Sequence, residues 1–402
     1  MISLILLLIA AIPSIPVGTL LIEATGSLRK VRHPENDLDS GAPRTLAVVI
    51  PARNESTGIV PTLRDITPQL VPGNRVIVVA DNCSDDTAAV ARRNGAEVIE
   101  RADLEKIGKG YALSHAIEYL RSDPPDVVIF IDADCRVEAS LVPTLARVSG
   151  QLQRPVQACF LMRAAENSPE DHKLLEFAFL LKNFIRPLGL RNLNCAVQLM
   201  GTGMAFPWEV IQSAPLATGN IVEDMKLGLD LASVGKAAYF WPSVGVTSVF
   251  PTTAEGVRGQ SERWNQGHLG IMLKTAPKYL LRGIRDRNVD LLAVVLDTLV
   301  PPLFILGAAV AGVWILELVF AAFGFGYAGF ILATTNVGVF LSTIIAAWLT
   351  FGRKVMPART LLRLSTFALR KLQLFGGMAK KRGATEWVRA DRTASAPPPN
   401  DS

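Results

Sequence analysis

The chain has 402 residues, half of them hydrophobic and 19% charged, with 41 Lys+Arg against 36 Asp+Glu. That length admits one domain of about 250 residues plus membrane segments, because ordinary domains run to about 100–200 residues. Four cysteines, Cys83, Cys135, Cys159 and Cys195, are widely spaced and form no C-x-x-C pair; this speaks against a zinc site or disulfide framework and for a reducing compartment.

The chain opens on ISLILLLIAAIPSIPVGTLLI, residues 2–22, which carries no charge and approaches the roughly 20 residues that cross a bilayer. Pro13 and Pro16 are expected to kink it. A cleaved signal peptide is the rival reading, but no basic n-region precedes the apolar run and no good small-residue cleavage site follows. Residues 1–24 are therefore expected to be a transmembrane anchor. Arg29, Lys30 and Arg32 follow directly, so the positive-inside rule puts the next domain in the cytosol.

Residues 45–275 form the expected soluble domain. Short β-branched runs, LAVVI (46–50), RVIVVA (75–80), EVIE (97–100), VVIFI (127–131) and VQACFL (156–161), alternate with helical patterns. Such alternation predicts an α/β domain, a mainly parallel sheet with flanking helices, and ligands held outside the carboxyl ends of the strands. Polar clusters stand at those ends: PARNES (51–56), DNCSDDT (81–87) and DADCR (132–136). Any one could be turn chemistry, and Asp85 is expected to be a helix cap. Lys109 precedes the helical pattern ALSHAIEYL, where it either starts the helix or positions a ligand.

Asp132 and Asp134 flank Ala133 after five apolar residues, so both carboxylates emerge at one strand end. Mg2+ or Mn2+ takes oxygen ligands, and Mg2+ typically uses one or two protein carboxylates while phosphates and water complete its shell. Glu223 and Asp224 begin the helical pattern VEDMKLGLDLASVG, where the helix dipole would favour an acidic pair on its own account. Gln260, Arg263 and Trp264 fall on adjacent turns of a predicted helix. They offer a stacking ring with hydrogen-bond donors, although Trp264 could equally be core or interface packing.

Beyond this domain, residues 276–299 are expected to form an interfacial helix. Apolar blocks at 300–323 and 330–350 read as a transmembrane hairpin with Glu317 and Asn336 inside it, polar groups that could be functional or snorkelling. The hairpin returns the chain to the cytosol before Arg353 and Lys354, in agreement with the first span. The tail 353–402 holds eleven Lys/Arg and three Asp/Glu, a net +8. It contains a candidate amphipathic cationic helix at 361–375 and a low-complexity end, TASAPPPNDS. Its place after a span favours anionic membrane lipid over nucleic acid as its partner, and no nucleic acid is expected.

PARNE, Asp81, Asp132-Ala133-Asp134, Glu223-Asp224 and Gln260-x-x-Arg263-Trp264 occur in this order over residues 46–275. This arrangement resembles a membrane-integrated family 2 glycosyltransferase of the branch containing cellulose, hyaluronan and chitin-oligosaccharide synthases. The resemblance implies a GT-A nucleotide-sugar domain in which Ala52, Glu55 and Asp81 hold the base and ribose, Lys109 helps with the donor, and Asp132 and Asp134 hold the donor's metal. It implies that Asp224, beside Glu223, is the catalytic base of an inverting transfer. Gly201 and Thr202 would line a turn beside the acceptor, with Gln260, Arg263 and Trp264 on acceptor or diphosphate. EWVRADR (386–392) resembles the W-x-K-T-x-R ending of relatives, with Arg389 for Lys and Ala390 for Thr, so Trp387, Arg389 and Arg392 become a candidate lid.

The implied activity is transfer from a nucleotide sugar, UDP-linked by resemblance, to a saccharide acceptor at the cytosolic face of the inner membrane, in surface polysaccharide synthesis. A single-step transfer to a ceramide-, hopanoid- or polyprenyl-phosphate-type lipid uses the same residues. An inactive membrane scaffold would show a broken motif, and none is broken here. Three spans are few for a processive synthase; a homo-oligomer or export partner could supply more.

Overall fold

The computed structural model describes residues 1–30, 43, 45–165, 168–169 and 171–363. The candidate lid, nearly all of the 361–375 helix and the low-complexity end lie outside these residues.

Eight strands form one mixed sheet: β1 Leu46–Ala52, β2 Arg75–Asp81, β3 Glu97–Arg101, β4 Val127–Phe130, β5 Arg136–Val137, β6 Val156–Arg163, β7 Met204–Pro207 and β8 Tyr239–Val249. Their spatial order is β3-β2-β1-β4-β7-β6-β8-β5. The β3-β2-β1-β4 half is wholly parallel, as helical crossovers between β-branched strands require. β7 then runs antiparallel to both β4 and β6, and β8 returns parallel to β6. The expected five strands and flanking helices are present. β5, β7 and β8 are additions that make the sheet more mixed than the runs alone suggest.

Alternation along β1 feeds two cores. Leu46, Val48, Ile50 and Ala52 face a layer that includes the helices Ile59–Ile66 and Leu141–Leu152. Ala47 and Val49 face another that includes Lys109–Leu120. Every β1 residue is buried, so the strand reads as a continuous apolar run, as expected of a parallel strand covered on both faces.

Three helical stretches among the described residues are long and apolar enough to cross a membrane: Ile2–Gly26, Leu303–Ala322 and Ala328–Gly352. The first breaks between the helices Ile2–Ala11 and Ser14–Gly26, at the predicted proline. Asn336 donates to the Ala10 carbonyl at 3.0 Å and to Ser14 Oγ at 3.1 Å, tying the hairpin to this break. It therefore acts as interhelical glue. Val17 and Leu20 of the first span share a core with Leu174, Phe177 and Leu181, and with Leu306 and Ala347 of the hairpin. The long apolar helices and the α/β domain are thus packed on one another.

The crossing of Ser14–Gly26 with the helix Arg186–Asn192 depends on small residues. A Cβ at Gly189 would lie 1.7 Å from the Glu23 carbonyl oxygen, so no larger residue fits. Next to this crossing, Arg186 is held between Glu23 of the span and Asp297, which closes the helix Val289–Thr298.

Candidate active site

Strand ends open onto a cleft of about 280 Å3. β1 delivers Pro51, Arg53 and Glu55; β4 delivers Asp132 and Asp134; the helix Glu223–Ser233 delivers its first two residues; and the helix Ala254–Gly270 delivers Gln260, Arg263 and Trp264. Motifs separated by up to about two hundred residues in sequence thus line one cavity.

Lys109 is the hub. It is the first residue of its helix, and its ammonium lies 2.6 Å from Asp132 Oδ1, 3.5 Å from Glu223 Oε1 and 2.8 Å from the Gly201 carbonyl oxygen to which it donates. Burial alone would lower its pKa, but Asp132, Glu223 and Asp224 raise it above the ordinary lysine value. Both alternatives left open by the sequence are therefore realised: Lys109 starts the helix and also reaches into the cleft.

Burial pushes Glu223 up to about 7, with Lys109 opposing and Asp224 reinforcing the rise. Asp224 is raised too, first by burial and against the pull of Lys109. Two adjacent carboxylates around one ammonium cannot both ionise easily, so one of them stores a proton near neutrality. Gly201, at φ +88°, makes room for this group: a Cβ there would sit 3.3 Å from Asp224 Oδ2 and 3.5 Å from Lys109 Nζ. Thr202 is fully buried behind it, its hydroxyl accepting from the Asp132 N–H at 3.0 Å. Thr202 supports the acidic turn and does not line the cleft.

Asp132, Asp134 and Cys135 each present an atom within 4.8 Å of the others. The Cys135 thiol is buried, and burial together with the Asp132 charge drives its pKa well up, so it remains protonated. The donor set that remains is two carboxylate groups at a strand end, which fits a hard divalent cation and not zinc. Lys109 already neutralises one Asp132 oxygen, as a resident countercharge would.

Glu55 lines the cleft with its backbone N–H donated to Thr87 Oγ1 at 2.8 Å. Ala52 and Asp81 sit at the ends of β1 and β2 but are not among the lining residues. Asp81 is fully buried and ion-paired with Arg101 at 2.6 Å, while its Oδ2 has no partner among the described residues. Asp85 is not the cap expected of it: Asp86 holds the N-cap position of the helix Thr87–Arg93, and Asp85, one residue before, makes an Asx turn by accepting from the N–H of Thr87 at 3.1 Å while also accepting from that of Ser56. Trp264 packs its ring 5.7 Å from Phe179 while lining the cleft, so its packing and surface roles coexist.

The model of the family described as "Glycosyltransferase like family 2" matches residues 43–267, more than half of the chain. The chain belongs to this family. Within it, a 92-residue stretch is 40% identical to 4,4'-diaponeurosporenoate glycosyltransferase of Staphylococcus aureus. That stretch is 23% of this chain and 24% of the relative, so the match spans about a quarter of the curated relative's length. Among solved structures, a mannosyltransferase from Pyrobaculum calidifontis, in complex with GDP-Man and Mn2+, is similar at TM-score 0.49 and 18% identity over 87% of this chain and 98% of that one. Glucosyl-3-phosphoglycerate synthase from Mycobacterium tuberculosis, with Mn2+, UDP and its product, is similar at TM-score 0.35 and 28% identity over 50% and 70%.

Beside its motif residues, this family 2 glycosyltransferase has a cleft floor that no motif announced: Lys182, Arg186, Gln198, His268 and Asp297. The signal available was a pair of cations four residues apart, Lys182 and Arg186, inside the apolar run FAFLLKNFIRPLGL. Such a pair has to meet something polar on one helix face.

Proposed function

We propose that the chain is an inverting glycosyltransferase that moves a sugar from a nucleotide donor, with UDP the first candidate, to an acceptor presented at the cytosolic face of the membrane. The observation that carries this reading is the opposition of Asp132 and Asp134 to Glu223 and Asp224 in one cleft, with Lys109 between them. In this reading Asp224 takes the proton of an acceptor hydroxyl. That oxygen forms its bond to the anomeric carbon as the bond from that carbon to the diphosphate breaks, and the nucleoside diphosphate leaves with the electron pair. Attack opposite the leaving group inverts the anomer.

Asp132 and Asp134 would hold Mg2+ or Mn2+, whose chemistry when bound is to offset the negative charge of the departing diphosphate. Glu55 and Arg53 stand at the end of the cleft where base and ribose would lie. Gln260, Arg263 and Trp264 supply donors and a ring for sugar or diphosphate. Glu223, protonated near neutrality, is suited to donate a hydrogen bond beside the base. Helices Ile2–Gly26, Leu303–Ala322 and Ala328–Gly352 serve as the membrane anchor in this reading.

The acceptor is drawn from the membrane, because the floor of the cleft is built directly against the first span through Arg186 and Glu23, 2.5 Å apart. This feature favours single transfer to a lipid-borne acceptor; extension of a membrane-associated saccharide uses the same residues and is the second reading.

The test is release of free nucleoside diphosphate by purified protein in nanodiscs, across a panel of UDP-sugars with Mg2+ or Mn2+. One donor should be turned over, with turnover lost in Asp134→Ala. No release with any donor, in the presence of membrane lipid extract, would overturn the reading.

A further inference from the structure

The cations that line the floor of the cleft differ in how they are neutralised. Arg186 is paired twice: its Nε lies 2.5 Å from Glu23 Oε2, and its Nη2 meets both Asp297 Oδ1 at 2.5 Å and the Asp297 carbonyl at 2.9 Å. Lys182, one helical turn earlier, makes no hydrogen bond or ion pair among the described residues, yet it lines the same cleft. It belongs to the π-helical turn Leu181–Ile185, which joins the helix Asp171–Leu180 to Arg186–Asn192. Its flexible stem opens into the cavity, where it is exposed.

Its surroundings do not welcome a bare charge. Partial enclosure by the cleft walls lowers the pKa of Lys182 below the ordinary lysine value, with Asp224 opposing and Arg186 adding to the fall. An ammonium that opens into a cleft and has no partner among the described residues is available to an anion there. A second observation points to a ligand in the same place. His268 is buried, and its Nε2 lies 2.8 Å from the Thr298 carbonyl, so that nitrogen carries the hydrogen and donates. Burial pushes its pKa down to about 3, so the ring is neutral, and Nδ1 is left as a buried acceptor without a partner.

We infer that the floor of the cleft is an acceptor subsite for an anionic head group, a phosphate or carboxylate held by Lys182, with a hydroxyl of the same ligand meeting His268 Nδ1. This rests on the glycosyltransferase reading for the word acceptor; the anion subsite itself does not depend on it. The subsite opens into the same cleft as Asp224. A head group held there would present its neighbouring oxygen to that carboxylate. The Arg186–Glu23 contact puts the subsite next to the end of the first span, where an amphiphile can offer its head while its chain remains in lipid. A free soluble anion shares the chemistry of recognition but not this access.

The full chain in phosphatidylcholine nanodiscs is titrated by calorimetry with dodecyl phosphate, dodecanol and inorganic phosphate, against empty nanodiscs, and separately with UDP and Mn2+. Dodecyl phosphate should bind saturably. Its affinity should fall about tenfold or more in Lys182→Gln, the size of one charge-assisted hydrogen bond, and should be largely retained in Lys182→Arg. Dodecanol should bind far more weakly than dodecyl phosphate. UDP–Mn2+ affinity should be equal in all three proteins, which shows that the variants are folded. Equal binding of dodecyl phosphate by wild type and Lys182→Gln, or of alcohol and phosphate by wild type, overturns the subsite. Inorganic phosphate binding as tightly as the amphiphile upholds the anion site and overturns its membrane source. Failure of UDP–Mn2+ to bind the wild type tells against the transferase reading alone, because the phosphate titration does not use the donor.

Discussion

Lys109 and Arg186 are both cations set between two carboxylates, and they do different things. Arg186 lies between Glu23 and Asp297 with its side chain 5% exposed, and its Nε and Nη2 are held by carboxylate and carbonyl oxygens. Lys109 lies between Asp132 and Glu223, and it shares its point charge with the Gly201 carbonyl on the wall of an open cleft. A guanidinium whose Nε and Nη2 are each held by a different carboxylate makes a rigid joint, whereas an ammonium on a flexible stem can exchange partners. One cluster holds the molecule together; the other can give up Asp132 to an incoming metal and nucleotide.

Four substitutions press on that contrast. The largest effect is expected at Asp224→Asn, which removes the candidate base at the Lys109 pole. Its kcat should fall by roughly 10²–10⁴ while UDP–Mn2+ affinity is kept; turnover near the wild-type level would remove Asp224 from its role. Next is Arg186→Met, which strands two carboxylates, one of them fully buried. Loss of one partner from such a cluster costs about 3–5 kcal/mol, so the midpoint of thermal unfolding in nanodiscs should drop well below wild type. An unchanged midpoint would mean that the joint is ornamental.

Lys109→Met should behave in the opposite way. Its unfolding midpoint should move little, because water and the remaining acid pair can rearrange in the cleft. Mn2+ should bind the nucleotide-free protein several-fold more tightly, because no ammonium competes for Asp132 Oδ1. Weaker Mn2+ binding, read by isothermal titration, would make Lys109 a support of the metal site and not its competitor.

The smallest effect concerns pH. Glu223 has its pKa raised from 4.5 to about 7 in the folded chain. Between those values the folded protein keeps a proton that the unfolded chain has lost, so this group makes stability fall as pH rises through that window. Glu223→Gln cannot lose a proton and should flatten the slope of unfolding midpoint against pH between 4.5 and 7. An identical slope in the variant would show that the proton resides elsewhere in the cluster.

How much of this was legible depends on how local the signal is. β1, β2 and β4 announce themselves as β-branched runs that end in polar clusters, because a strand covered on both faces has to be apolar throughout. β7 is only MAFP, four residues closed by a proline, and is pinned by pairing with β4 and β6 at long range. β8 contains Pro242 and Gly245, which read as breakers, and the register of its pairing with β6 shifts between Ala158 and Cys159. At the site, Asp132, Asp134, Glu223, Asp224, Gln260, Arg263 and Trp264 form an ordered motif series, and the structure brings all of them to one cleft. The floor was not legible: Lys182, Gln198, His268 and Asp297 come from four separate stretches, and only folding shows that they meet. The lid expected of Trp387, Arg389 and Arg392 lies outside the described residues.

The joint at Arg186 has a further consequence. Glu23 belongs to a helix long and apolar enough to cross a bilayer and Asp297 to the body packed on it, so if that helix spans as proposed, the cleft would ride at a fixed height and tilt over the lipid surface. Under the proposed function, an acceptor confined to that surface would search for the enzyme in two dimensions and meet the cleft already oriented. Loosening the joint would turn a surface encounter into a hunt through volume, and turnover at low acceptor density would suffer before turnover at saturation.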